Sequence, residues 1–202
     1  MSAAVVRRKV GQFLARHVSM LTAIVVVVAA SFAWENIHFG TSSADDQGVI
    51  IQVVQGSQLA KQQLCVPPGA PMNAPQAVQP SVLKTMLARV RTEENKYYSG
   101  RLLVAQVYQQ QQNCSVSARS GNGLIVNGGV SSFGCGQIIV QGETGTADCQ
   151  AVEWQKSLIR VPTGVRVENP RGPVNLSDSL VKTPAGWRIT REKLSYPAGR
   201  AP

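Results

Sequence analysis

An uninterrupted apolar block near the start limits what this chain can be. Leu21 to Phe32 carries no charge and contains the run Ile24-Val25-Val26-Val27-Val28-Ala29-Ala30. Extended back to Val18 and on through Trp34 and Ile37 to Phe39, it reaches the roughly 20 residues that cross a bilayer. Arg7, Arg8, Lys9 and Arg16 precede it without an acid, and Glu35, Asp45 and Asp46 follow it. The positive-inside rule then predicts a cytoplasmic tail at 1–17, a single-pass transmembrane helix at 18–39 and an extracytoplasmic remainder. Trp34 and Phe39 suit the headgroup layer. A cleaved secretory signal is the alternative, with Ala29-Ala30-Ser31 and Ser31-Phe32-Ala33 as small-residue cleavage patterns. Only one such block exists in 202 residues, which excludes a polytopic membrane protein.

The cysteines agree with that orientation. Cys65, Cys114, Cys135 and Cys149 all follow the block. An even count beyond a membrane segment fits two disulfides in an oxidising compartment. Cys135 and Cys149 flank a Gly-rich hairpin signal and are expected to pair across strands, leaving Cys65 with Cys114. Free buried thiols are the alternative. Zinc is disfavoured, because there is no C-x-x-C spacing and no histidine near any of the four.

Residues 40–80 read as a linker. Within it Val49-Ile50-Ile51-Gln52-Val53-Val54 suggests a short strand, and Pro67, Pro68, Pro71, Pro75 and Pro80 enforce extended chain. From 81 onward the texture is that of a folded domain, ending near 197 before a short tail at 198–202. Ser81 can cap a helix whose apolar period is Val82, Leu83, Met86, Leu87 and Val90. Gly100 breaks it from a second helix through Leu102, Leu103, Val104, Val107 and Tyr108, with Gln109 to Gln112 as its solvated end. Strands are expected at Gly123 to Asn127, Gln137 to Gln141, Ala151 to Val161, Val174 to Thr183 and Trp187 to Tyr196, with turns at 143–146 and 184–186. Helices followed by a meander predict an α+β domain with Trp154, Leu158, Leu180 and Trp187 in the core.

The stretch from Ser177 to Ile189, with Lys182-Thr183-Pro184-Ala185-Gly186-Trp187-Arg188-Ile189 at its end, resembles the closing hairpin of NTF2-like domains, in which helices pack on a curved antiparallel sheet to form a cone. The resemblance implies fold and says little about function. An NTF2-like domain behind one membrane helix also resembles the VirB8-type components of conjugation and type IV secretion machines, and the Mce-associated membrane proteins. Both likenesses are of layout rather than of a matched motif. Tyr97, Tyr98, Tyr108, Asp178, Trp154 and Trp187 are the residues placed to line such a cone.

Chemistry is sparse. The two histidines, His17 and His38, sit at the edges of the apolar block, so the outer part lacks the commonest general base and zinc ligand. An Asp178/tyrosine proton-transfer pair is the one enzymatic reading, against a carboxylate and tyrosines that merely pack. Glu93 and Glu94, beside Lys96, Arg89 and Arg91, read as a salt-bridged helix surface. Neither Gly121-Asn122-Gly123 nor Gly134-Cys135-Gly136 makes a phosphate loop. The net charge of +9 is concentrated late: nine Lys/Arg lie from Lys156 onward against Glu168, Asp178 and Glu192. Arg160, Arg166, Arg171, Arg188 and Arg191 form a candidate basic contact surface for an acidic partner or anionic lipid. Nucleic acid is disfavoured, since no basic–aromatic interleaving is present. The expectation is a non-enzymatic assembly subunit of a cell-envelope complex, possessing neither cofactor nor metal, in contact with other membrane or envelope proteins or with copies of itself. The alternative is an extracytoplasmic carrier of a small apolar ligand or lipid.

Overall fold

The computed structural model describes residues 43–69, 75–119 and 121–197. The expected transmembrane helix at 18–39 and the expected tails at 1–17 and 198–202 lie outside them. No helix among the described residues is long and apolar enough to cross a membrane.

Three helices precede five strands: α1 (Ser43–Gln63), α2 (Pro80–Glu94), α3 (Gly100–Arg119), β1 (Gly123–Gln141), β2 (Thr144–Val161), β3 (Gly164–Glu168), β4 (Arg171–Thr183) and β5 (Gly186–Ser195). The sheet is antiparallel throughout, in the order β1-β2-β4-β5, with β3 paired to β2. Helices on an antiparallel sheet make an α+β fold of the kind that fits an NTF2-like cone.

α1 corrects the domain boundary expected from the sequence. Val49 to Val54 is helix, not strand, and the folded region begins near Ser43 rather than Ser81. Its buried positions are Asp46, Ile50, Val54, Ser57 and Gln58, which recur at helical spacing. Polar side chains at inward positions and apolar ones on both sides of 49–54 hide that period. α2 starts with Pro80 at its first position after Gln79, and Ser81 is not the cap; proline's fixed φ is already helical there. α3 runs on past the glutamines to Arg119. Gln109 to Gln112 therefore lies mid-helix, and Gln110 is buried. Gly100 takes φ 61°, which only glycine adopts freely, and separates α2 from α3.

β1 is one 19-residue strand where two short ones were expected. Register shifts at Ile125/Asn127, Val130/Ser132 and Cys135/Gln137 bend it; Gly136 is the extra residue at the third, and the other glycines of the strand are paired in the ladder rather than forming loops. β3 was not anticipated; its five residues are mostly exposed and carry little apolar signal.

The main core lies between α1 and the inner face of the sheet. Ile50 and Val54 meet Ala147, Cys149, Val174, Leu176, Leu180, Trp187 and Ile189. A second core joins Leu64 and Cys65 to Met86, Val90 and Cys114 between the helices. A third, at the far end of the β1–β2 hairpin, holds Leu124, Val126 and Leu158. Disulfides join Cys65 to Cys114 and Cys135 to Cys149, tying the end of α1 to α3 and β1 to β2. Arg89 donates to the carbonyls of Gln63, Leu64 and Val66 and so satisfies the C-terminal end of α1.

Candidate functional site

The inner face of the sheet carries an unusual amount of buried charge. Glu192 is at its centre, with its side chain only 2% exposed. Its Oε1 accepts from Gln58 Nε2 at 2.8 Å and from the Tyr98 hydroxyl at 3.0 Å. Its Oε2 accepts from Lys61 Nζ at 2.5 Å and from Gln106 Nε2 at 2.9 Å. Four donors from α1, the α2–α3 turn and α3 thus converge on one carboxylate of β5. Lys61 also lies 5.4 Å from the Tyr98 ring centroid. Such saturation is what a buried carboxylate needs to remain ionised.

Two further carboxylates lack that support. Glu94 is wholly buried and Asp178 is 2% exposed. No oxygen of either side chain has a hydrogen-bond partner among the described residues. Burial pushes each to about 7, with Glu192 adding to the rise and Lys61 opposing it; Glu93 adds to it for Glu94, and Asp148 for Asp178. Glu153, which accepts from Gln62 Nε2 at 2.9 Å, is raised by burial as well. Burial also holds the Tyr98 hydroxyl well above its ordinary range. One ammonium therefore serves several carboxylates, and near neutral pH Glu94 and Asp178 hold protons that an exposed acid would have lost.

The residues placed to line the cone divide. Tyr98, Asp178 and Trp187 are buried in it, and Tyr97 packs half-buried at its wall. Tyr97 lies so close to Gly56 of α1 that a Cβ there would meet its Cε1 at 2.6 Å. Trp187 donates to Asp46 Oδ1 at 2.9 Å, and Lys182 binds the same carboxylate at 3.0 Å, which pins the start of α1 to the β4–β5 hairpin. Trp154 is only half-buried and lies against Gly129. Tyr108 departs from expectation: it is 66% exposed, because its turn of α3 faces away from the sheet. Glu94 also departs from the surface reading. Glu93 does pair with Lys96 at the surface, but its neighbour turns inward.

Lys61, Gln58, Gln106 and Glu192 were not anticipated. Lys61 follows Val54 and Ser57 at helical spacing, a signal available once α1 is read as a helix. For Glu192 the cause is a bulge: Leu180 pairs with Ile189 but Ser179 with Arg191, so Thr190 is an extra residue. That extra residue inverts the alternation and turns Glu192 inward.

The five arginines of the candidate basic surface are not gathered together. Arg188 and Arg191 are on β5 beside the closing hairpin, whereas Arg160 and Arg166 are at the opposite end of β2 and β3. Arg160 donates to the Pro75 carbonyl, Arg166 pairs with Glu168, Arg171 reaches Ser131 Oγ, and Arg188 reaches the carbonyls of Asn95 and Trp187.

Two grooves open elsewhere. One, of about 730 Å³, runs between α2 and α3 and is lined by Arg91, Leu103, Val104, Val107 and Tyr108. Val104 is 71% exposed. The other, about 1010 Å³, crosses the solvent face of the sheet.

No family model and no curated protein sequence matches the chain. Among solved structures it is similar to the intermembrane space region of the chloroplast protein ARC6, with TM-score 0.46 and 12% identity over 72% of this chain and 93% of that one. It is also similar to an NTF2-like protein with a cystatin-like fold from Novosphingobium aromaticivorans, with TM-score 0.34 and 16% identity over 58% and 79%. An NTF2-like protein involved in plasmid conjugation gives TM-score 0.29 and 10% identity over 62% of this chain and 45% of that one.

Proposed function

We propose that this chain is a non-enzymatic assembly subunit of a cell-envelope complex, with the domain from Ser43 onward held outside the cytoplasm. The observation that carries the reading is the uncovered apolar strip of α3. Val104 and Tyr108, one turn apart, stand 71% and 66% exposed above the groove between α2 and α3. Large aromatic and aliphatic side chains left in water over a groove are the usual anchors of a protein interface. Arg91 on the groove rim has no ion-pair partner among the described residues, and it favours a partner with acids flanking an apolar ridge. The two disulfides support an oxidising compartment. A conjugation or type IV secretion channel is the finer form of the proposal and rests on the resemblance in layout.

A carrier of a small apolar ligand draws less support. The inner face is occupied by the packed side chains of Ile50, Val54, Leu180, Trp187 and Ile189 and by buried carboxylates, which offer an apolar guest no matching surface.

Full-length chain extracted from membranes in mild detergent is expected to run in a particle much larger than its own 21.6 kDa. Val104→Asp with Tyr108→Asp should release it from that particle without lowering its unfolding midpoint. A wild-type chain that runs alone, or a double variant that stays in the particle, refutes the proposal.

A further inference from the structure

The outward face of α3 is a straight stripe. Arg101, Val104, Tyr108, Gln112, Val116 and Arg119 follow one another at intervals of three, four, four, four and three residues, and all six are exposed. Those intervals average about 3.6 residues, so the stripe stays on one side of the helix. Val116 is 70% exposed, and the apolar strip therefore continues beyond Val104 and Tyr108. At about 1.5 Å per residue the stripe is roughly 27 Å long, with an arginine at each end. The groove between α2 and α3 runs beside its first half, from Leu103 to Gln111, and Arg91 stands on the α2 side.

The charge left open on this face has one sign. Residues 80–119 carry Lys84, Arg89, Arg91, Lys96, Arg101 and Arg119 against Glu93 and Glu94. Glu93 is bound to Lys96, Glu94 is buried, and Arg89 is turned to the carbonyls at the end of α1. Arg91, Arg101 and Arg119 have no ion-pair partner among the described residues. This distribution sorts the occupants. A second copy docked through the same face sets Arg101 against Arg119 of the other copy in an antiparallel pair, and like arginines against each other in a parallel one, so the face repels itself. The chain's own segments outside the described residues hold one acid, Glu35, at the edge of the apolar block, and so cannot supply the missing charge. A bilayer surface is flat where the groove is concave, and it would strip water from the amides of Gln112, within the stripe, and Gln109, beside it.

We infer that this face seats an amphipathic helix of a different protein, with an apolar ridge on Val104, Tyr108 and Val116 and carboxylates near both of its ends. The inference rests on the assembly reading above and names the partner that reading calls for. A groove between two helices receives a third helix along its length. Acids at one end of the guest meet Arg91 and Arg101, and acids about five turns away meet Arg119. These pairs lie at the rim, where salt screens them, so they steer and select the guest while the apolar ridge holds it.

The test places a photoreactive amino acid at Gln112 of the full-length chain in living cells and sequences the crosslinked peptide by mass spectrometry. The expected adduct is one segment of a different protein, with apolar residues at helical spacing and Asp or Glu near both ends. Arg91→Glu with Arg101→Glu should cut the adduct yield at least about fivefold. Lys156→Glu with Lys193→Glu, the same change of charge on the sheet, should leave the yield unchanged, and unfolding midpoints establish that both double variants fold. In mild detergent the particle should come apart as salt is raised. No adduct, an adduct to this chain itself or to lipid, an adduct to a segment without acids, or a yield indifferent to the arginine substitutions would overturn the inference. In any of those outcomes a particle still released by Val104→Asp with Tyr108→Asp leaves the assembly reading standing, whereas a chain that runs alone removes both.

Discussion

Asp178→Asn should make the domain more stable in mildly alkaline solution and flatten its pH dependence. Asp178 is 2% exposed, lacks a hydrogen-bond partner and is pushed by burial to about 7 from an ordinary 3.8. The folded chain therefore holds this proton more tightly than the unfolded chain does. For an acid whose folded pKa is raised, stability is greatest below the unfolded value, falls as pH climbs from about 4 to about 7, and is level above that. At about 1.4 kcal/mol per pH unit, the full loss is on the order of 4 kcal/mol. Glu94, raised from 4.5 to about 7, should lose a further amount on the order of 3 kcal/mol across the same range. The substituted amide cannot ionise, so the variant should retain the slope due to Glu94 and lose the slope due to Asp178. Urea unfolding at a series of pH values reads this directly through the midpoint. The variant should lie within about 1 kcal/mol of wild type near pH 4 and several kcal/mol above it near pH 8. Parallel curves across that range would show that Asp178 does not carry a raised pKa, and the description of a dry carboxylate cluster would fail.

Further perturbations follow from the same geometry. Lys61→Met leaves Glu192 as a buried charge with neutral donors only, and should cost about 3–5 kcal/mol in denaturant unfolding. Because Lys61 holds Glu94 and Asp178 down, its loss should also extend the pH-dependent fall in stability to higher pH and deepen it, with the onset unchanged. Gly128→Ala would set a Cβ 2.4 Å from the Gln62 carbonyl oxygen, where β1 crosses α1. It should destabilise by about 1–3 kcal/mol, seen as a lower thermal midpoint. Replacing Cys65 and Cys114 together with serine opens a link across 49 residues and should cost about 4 kcal/mol, more than the same change at Cys135 and Cys149, which are 14 apart.

The later half of the chain was the more legible. Gly186, at φ 97°, occupies the turn expected at 184–186, whereas the turn expected at 143–146 falls earlier, at Gly142 (φ 62°) and Glu143, with Thr144 to Thr146 already in β2. Asp178 was legible as an inward-facing residue because the alternation through β4 is regular, from Val174 through Leu176, Asp178 and Leu180. α1 was illegible for a specific reason. It buries Asp46, Ser57 and Gln58 on its inner face, so a search for apolar period finds a strand-like patch and stops. The polar interior that makes the site is the same feature that conceals the helix carrying half of it. Glu192 was hidden by a single inserted residue, Thr190, whose effect on which face a side chain takes exists only in the pairing with β4. Glu94 was hidden by its neighbour, since the adjacent Glu93 does what the surface reading expects of both.

Photocrosslinking in living cells tests the assembly reading most directly. A photoreactive amino acid placed at Val104 or at Tyr108 is expected to give one discrete adduct with an envelope protein or with a second copy of the chain, and the same residue at Val49 of α1 is expected to give none. Adducts absent from both α3 positions, or an identical adduct from all three, would contradict it.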